Sequence, residues 1–206
     1  MNRRAMFRVV RLLSPAALLL AAACSSDASE APRPPLEGAR IGGDFALVDK
    51  AGRPVRFSDF TGKYRIVYFG YTFCPDVCPL DVQNLMLGYN TFARSEPDVA
   101  ARVQPIFVSI DPARDTPEAV GEFAAAFSPK LIGLTGSEAQ VAEAVKMFAS
   151  YRAKGKETGD GGYLMDHMRT ATLFGPDGKP LALLPVELPP ERAPQAVAAE
   201  LARWTS

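Results

Sequence analysis

Cysteine and histidine are scarce in this chain: 206 residues hold three of the first and one of the second. An excess of charge is missing too, with 23 Lys and Arg against 23 Asp and Glu. A nucleic-acid binder would carry a basic face or tail, so that class is excluded. The 16 glycines and 18 prolines make up about a sixth of the chain, too little for collagen or wholesale disorder. Nor does the N-terminal apolar run reach the roughly 20 residues that span a hydrocarbon core. What is there, 48% apolar residues over this length, suits a single domain or two small ones with a buried core.

The start of the chain reads as an address. Arg3, Arg4, Arg8 and Arg11 precede an apolar stretch from Leu12 to Ala23, broken only by Ser14 and Pro15. A basic start, a short apolar centre and small residues before a cleavage point describe a secretory signal over residues 1–23. Leu20-Ala21-Ala22-Ala23-Cys24 resembles a bacterial lipobox, with Ala21 in place of the usual leucine. It makes Cys24 the expected lipidation site and the membrane a partner through that lipid. Removing the four arginines leaves 19 basic residues against 23 acidic ones, a net charge of −4. Residues 24–40 are rich in Ser, Ala, Pro and acid, cannot bury enough surface to fold alone, and are expected to form a flexible tether. The expected location is extracytoplasmic, on the periplasmic face of a bacterial membrane.

Residues 41–206 alternate between strand and helix signals. Phe45–Val48 and Val55–Phe57 flank Asp49-Lys-Ala-Gly52 and predict a hairpin. Arg65–Gly70 is the apolar run of a strand covered on both faces, and Val103–Ile110 is a second. Between them Val82, Leu85, Met86, Tyr89 and Phe92 fall on one helical face. Thr116-Pro117 opens another helix, with Val120, Phe123, Ala124 and Phe127 facing inward. Leu131–Leu134 predicts a short strand, and Ser137 with Gln140 a capping box ahead of Val141, Val145 and Phe148. Ala153–Gly162 is polar and glycine-rich and reads as a mobile loop. Arg169–Phe174 and Leu181–Leu184 predict a closing hairpin, followed by a helix with Val197, Leu201 and Trp204. This order predicts an α/β thioredoxin-like fold: a central mixed sheet flanked by helices, with an extra N-terminal β-hairpin.

With Cys24 assigned to lipid, two cysteines remain, in Cys74-Pro-Asp-Val-Cys78-Pro79. They stand where the first buried strand gives way to a helix, the edge at which open α/β sheets bind ligands. Pro79 fits the first helical position, which puts Cys78 at the N-cap. Unpaired N–H groups there favour a thiolate. A disulfide closing so short a loop would restrain the unfolded chain little, so a purely structural bridge is a poor explanation. A redox disulfide between Cys74 and Cys78, or a soft metal ion, suits them better. A thioredoxin-like reductase spaces its cysteines two apart and wants a proline in the facing segment; here three residues intervene, and Asp166–Thr170 has none. A thiol peroxidase wants Thr or Ser three residues before its cysteine, where Tyr71 and Pro75 stand. A copper site wants thiolates and an imidazole. The one histidine, His167 in Tyr163-Leu-Met-Asp-His167, lies at the head of the closing hairpin, in a turn that faces the cysteine loop in a thioredoxin-like chain.

Tyr68–Pro79, Phe107–Pro117 and Tyr163–His167 together resemble the three signature stretches of the Sco/SenC family, in the same order across residues 41–206. That family consists of membrane-tethered, thioredoxin-fold copper proteins that help assemble the copper site of cytochrome c oxidase. The resemblance implies Cys74, Cys78 and His167 as ligands of Cu(I), with Cu(II) as a further state. It implies the copper-receiving subunit of that oxidase as partner, and other periplasmic copper carriers as further candidates. The alternative functions are a thiol–disulfide oxidoreductase that reduces the oxidase's cysteines, and a redox or copper sensor. Asp111 and Asp166 are candidates for a role just outside the ligands. Asp76 and Asp115 read as turn and cap residues, Met165 and Met168 as packing or surface contacts, and Tyr71 and Phe73 as walls that keep water off the site.

Overall fold

The structure, a computed structural model, describes residues 32–159 and 162–205. The expected signal, Cys24 and the first part of the expected tether lie outside the described residues. At the end of that tether segment, the amide of Leu36 donates to the carbonyl of Leu181, and a turn follows between Pro34 and Glu37.

Asp49 closes the front hairpin by accepting the amides of Ala51 and Arg53 on one carboxylate oxygen. This turn joins β1 (Ala46–Val48) to its antiparallel partner β2 (Pro54–Arg56). Strand β3 (Tyr64–Gly70) is buried at all seven positions: its apolar run is covered on both faces, and Arg65 is buried with it, donating Nη1 to the Gly175 carbonyl. It leads into α1 (Val77–Ser95), on which Val82, Leu85, Met86, Tyr89 and Phe92 are all buried. A short α2 (Pro97–Ala101) precedes β4 (Val103–Ser109). Helix α3 (Pro117–Phe127) is capped by the Thr116 side chain, which accepts the amide of Ala119. After β5 (Ile132–Leu134), Ser137 and Gln140 form the reciprocal box that opens α4 (Glu138–Met147).

Residues 153–157, expected as part of a mobile loop, instead belong to β6 (Arg152–Glu157), paired antiparallel with β7 (Tyr163–His167). A two-stranded ribbon exposed on one side needs no apolar alternation, so the polar Arg-Ala-Lys-Gly-Lys-Glu stretch carried no strand signal. The chain closes with β8 (Ala171–Phe174), β9 (Pro180–Leu184) and α5 (Ala193–Trp204).

The five-stranded sheet runs β5-β4-β3-β8-β9. Strands β3, β4 and β5 are parallel, while β8 is antiparallel to both β3 and β9. β5 pairs with β4 only from Ile106 onward, so Pro105 falls where its missing N–H breaks no bond on that side. Side chains alternate across β3. Ile66 and Tyr68 join the core under α1, α3 and α5, whereas Val67 and Phe69 join the core under α4 and the front hairpin. This is the mixed sheet flanked by helices that the element order predicts. Among the described residues no helix is long and apolar enough to cross a membrane.

Candidate metal centre

The cysteine loop leaves the carboxyl end of β3 and is held at both ends. Thr72 donates its amide (3.1 Å) and hydroxyl (2.6 Å) to the carboxylate of Asp115, which also accepts from Ser109 at the end of β4. Asp115, read from sequence as a cap residue, thus ties the loop to the neighbouring strand while Thr116 does the capping. Burial pushes its carboxyl up, against the pull of those three hydrogen bonds.

Helix α1 begins at Val77, so Cys78 is the second helical residue and not the N-cap, which is Asp76. Pro79 is tolerated as the third helical residue, two positions later than expected, because the first helical N–H groups have no intrahelical acceptor in any case. The shift lets the Cys78 amide point at the Cys74 sulfur, 3.4 Å away.

Both thiols are free and buried. The Cys74 thiol is pushed down to about 3, first by the hydrogen bond from the Cys78 thiol and further by the backbone amides of Asp76 and Cys78, with burial opposing. The same Cys74–Cys78 bond, together with burial, pushes the Cys78 thiol well up. The two thiols are thus pushed in opposite directions.

His167, last residue of β7, brings Nε2 to 3.1 Å from the Cys78 sulfur. Its Nδ1 lies 2.8 Å from the carbonyl of Met168, an acceptor only, so Nδ1 carries the hydrogen and Nε2 faces the sulfur. The ring stands edge-on between Tyr68 and Tyr71, with centroids 6.3 and 5.9 Å away. Burial is the largest cause that raises both phenols, Tyr71 to about 12, so these walls stay neutral.

Of the two flanking acids, Asp111 is buried and accepts from Arg114 (2.6 Å) and from the Tyr163 hydroxyl (2.8 Å). Arg114 lies 3.6 Å above the Tyr163 ring and 4.9 Å from that of Phe73, so the trio clasps the ribbon beside the cysteine loop. Asp166 is exposed on β7, and the Met168 backbone occupies the place beside Nδ1 where it was expected. Phe73 is 54% exposed at the rim, whereas Tyr71 is buried as a wall. Met165 packs against the cysteine cluster, and Met168 is exposed.

The residues fit a soft cation. Two sulfurs and one imidazole nitrogen converge, with Nε2 3.1 Å from the Cys78 sulfur and the Cys78 amide aimed at the Cys74 sulfur. A soft cation among them would engage three donors of the kind it prefers. Among the described residues no three Cys, His, Asp or Glu side chains already stand at the spacing of an open ion cage.

The SCO1/SenC family model matches residues 33–204. The chain belongs to the SCO1/SenC family. It is 41% identical over 138 residues to protein SenC of Rhodobacter capsulatus, covering 67% of this chain and 60% of that protein. It is 40% identical over 144 residues to the mitochondrial SCO2 homologue of Mus musculus, covering 69% of this chain. The match spans 56% of the mouse protein's length. The copper-bound structure of Bradyrhizobium japonicum ScoI superposes with a TM-score of 0.69 at 35% identity, over 80% of this chain and 99% of that one.

Sequence reasoning missed the Asp81–Arg169 ion pair, whose Arg169 nitrogens lie 2.7 and 3.0 Å from the Asp81 oxygens. No local signal links residues 88 apart.

Proposed function

We propose that this SCO1/SenC chain is an extracytoplasmic copper carrier. It binds Cu(I) through Cys74, Cys78 and His167, and delivers it to the copper-receiving subunit of cytochrome c oxidase. The observation that carries the reading is the 3.1 Å approach of His167 Nε2 to Cys78, with the Cys74 sulfur under the same helix amides. Support from likeness comes from the copper-bound state of the Bradyrhizobium relative and from the three signature stretches.

The steps on the protein's side follow from its own groups. The Cys74 sulfur, whose thiol is held low, would receive the cation, Cys78 would release its proton to water as its sulfur engages, and the Met168 carbonyl, by taking the Nδ1 hydrogen, would leave the Nε2 lone pair available. Oxidation of the two thiols to a disulfide removes both sulfur ligands, which couples loading to redox state. The low thiol of Cys74 would also serve dithiol exchange, but exchange needs no imidazole against Cys78.

Attachment by lipid at Cys24, the signal over 1–23 and the tether over 24–40, whose last part touches the domain through Leu36 and Leu181, remain part of this proposal, and the first two rest on the sequence pattern. Palmitate labelling of the wild type and of Cys24→Ser tests them: label lost with Cys24 supports the anchor, and label retained contradicts it. The copper reading is tested by competing the reduced full-length protein against a chromophoric Cu(I) chelator.

A further inference from the structure

Asp81 is 0% exposed, and three residues after Cys78 it points from α1 toward the ribbon. Both its oxygens are occupied: Arg169 donates Nη2 to one (2.7 Å) and Nε to the other (3.0 Å), and the Tyr68 hydroxyl adds a third bond of 2.9 Å. Arg169 lies two residues after His167. A two-pronged clamp thus runs from the helix that carries Cys78 to the segment that carries His167. Such a fork fixes direction as well as charge, which a lysine would not.

The clamp has something to hold. β7 pairs only with β6 and lies outside the five-stranded sheet. Other side-chain ties of the ribbon run toward the end of β4 and α4: Arg152 to the Ile110 carbonyl and to Glu138, and Tyr163 to Asp111. On the α1 side stand the His167–Cys78 contact itself and, two residues on, the Arg169 clamp. Tyr68 links the clamp to the imidazole directly, with its hydroxyl on Asp81 and its ring edge-on to His167 at 87°.

We propose that the Asp81–Arg169 pair, with Tyr68, is a positioning device that sets the separation of His167 from Cys78 and through it the copper affinity of the site. The inference deepens the copper reading and rests on it. Asp81 and Arg169 act through the ring and backbone they hold and supply no ligand.

The test uses the reduced full-length protein with Arg169→Met, Arg169→Lys, Asp81→Asn and the double variant Asp81→Asn/Arg169→Met. Three quantities are measured: Cu(I) affinity by chelator competition, the nitrogen-15 signals of the imidazole without metal, and the urea unfolding midpoint. His167 is the only histidine, so those signals need no assignment. Arg169→Met and Asp81→Asn should each weaken Cu(I) binding by about 10–100-fold, the range for loss of a partner that orients a ligand. The double variant should be no weaker than the worse single one, because the pair acts as a unit. Arg169→Lys should recover part of the loss, and the metal-free Nε2 signal should move toward that of free imidazole in Arg169→Met.

Unchanged affinity and unchanged ring signals in Arg169→Met, with only the unfolding midpoint lowered, would overturn the proposal and leave the pair a structural brace. If Asp81→Asn does not fold, the Arg169 variants decide, since that side chain is 37% exposed. If the wild type takes up no Cu(I), the copper reading fails separately. The ring signals then judge positioning alone, a shift supporting it and no shift overturning it.

Discussion

Cys78 and His167 are 89 residues apart in sequence and 3.1 Å apart in space. Two elements make that contact: the corner at which β3 turns into α1, and a ribbon that hangs outside the main sheet. The protein therefore builds half its site on rigid core and half on a lightly attached arm, a division suited to a cargo that must both bind and leave.

Removing the imidazole separates carrier from reductase. His167→Ala should weaken Cu(I) binding by more than the roughly 10–100-fold that loss of an orienting partner costs. Dithiol exchange with a small disulfide should persist, since both thiols remain. Chelator competition and a thiol-exchange assay on one preparation show which holds; copper affinity left intact with exchange abolished would sink the carrier reading.

Cys74 should stay alkylatable in acid. With its thiol held down to about 3, its rate with iodoacetamide should be nearly flat between about pH 8 and pH 5, where an ordinary thiol slows by orders of magnitude. Cys78, pushed the other way, should react slowly throughout. Cys78→Ser or Cys78→Ala should bring the Cys74 profile back toward the ordinary value of 9.0, most fully with alanine, because the Cys78 thiol is the first cause of the depression. The sign for stability follows. The lowered Cys74 thiol adds stability that fades as pH falls from the unfolded value of 9.0 toward about 3, while the raised Cys78 thiol takes stability away as pH climbs past 9.0, so the pair favours folding most near that value.

Gly88 lets α1 and α5 touch. A β-carbon there would stand 2.6 Å from the Val197 side chain and 2.9 Å from the Pro194 carbonyl oxygen. Gly88→Ala should thus destabilise the fold by about 1–3 kcal/mol through overpacking, despite alanine's better helix propensity. Urea unfolding measures it; a variant as stable as wild type would show that the helices part freely.

The ribbon should open before the sheet. Amides of β6 and β7, in a two-stranded sheet with mostly intermediate or exposed residues, should exchange with deuterium well ahead of those in the fully buried β3. Equal protection of the two would contradict the picture of a lightly attached arm.

Which parts were legible in the sequence follows from which forces act locally. The seven buried residues of β3, the apolar stripe of α1 and the Ser137–Gln140 box announce themselves because each is a short-range pattern. Cys74, Cys78 and His167 stood out through scarcity. The polar strand β6 did not, since exposed ribbons impose no alternation. The group beside His167 Nδ1 is a backbone carbonyl, invisible to residue type, and the sequence expectation fell on Asp166. Asp81 looked like any polar helix residue until folding buried it against Arg169.

The most direct test of the central claim is copper uptake by the purified full-length protein, first with both thiols reduced and then with them joined as a disulfide. The account predicts about one copper ion per reduced chain and almost none per oxidised chain. A reduced protein that takes up no copper, or an oxidised one that binds it equally well, would contradict it.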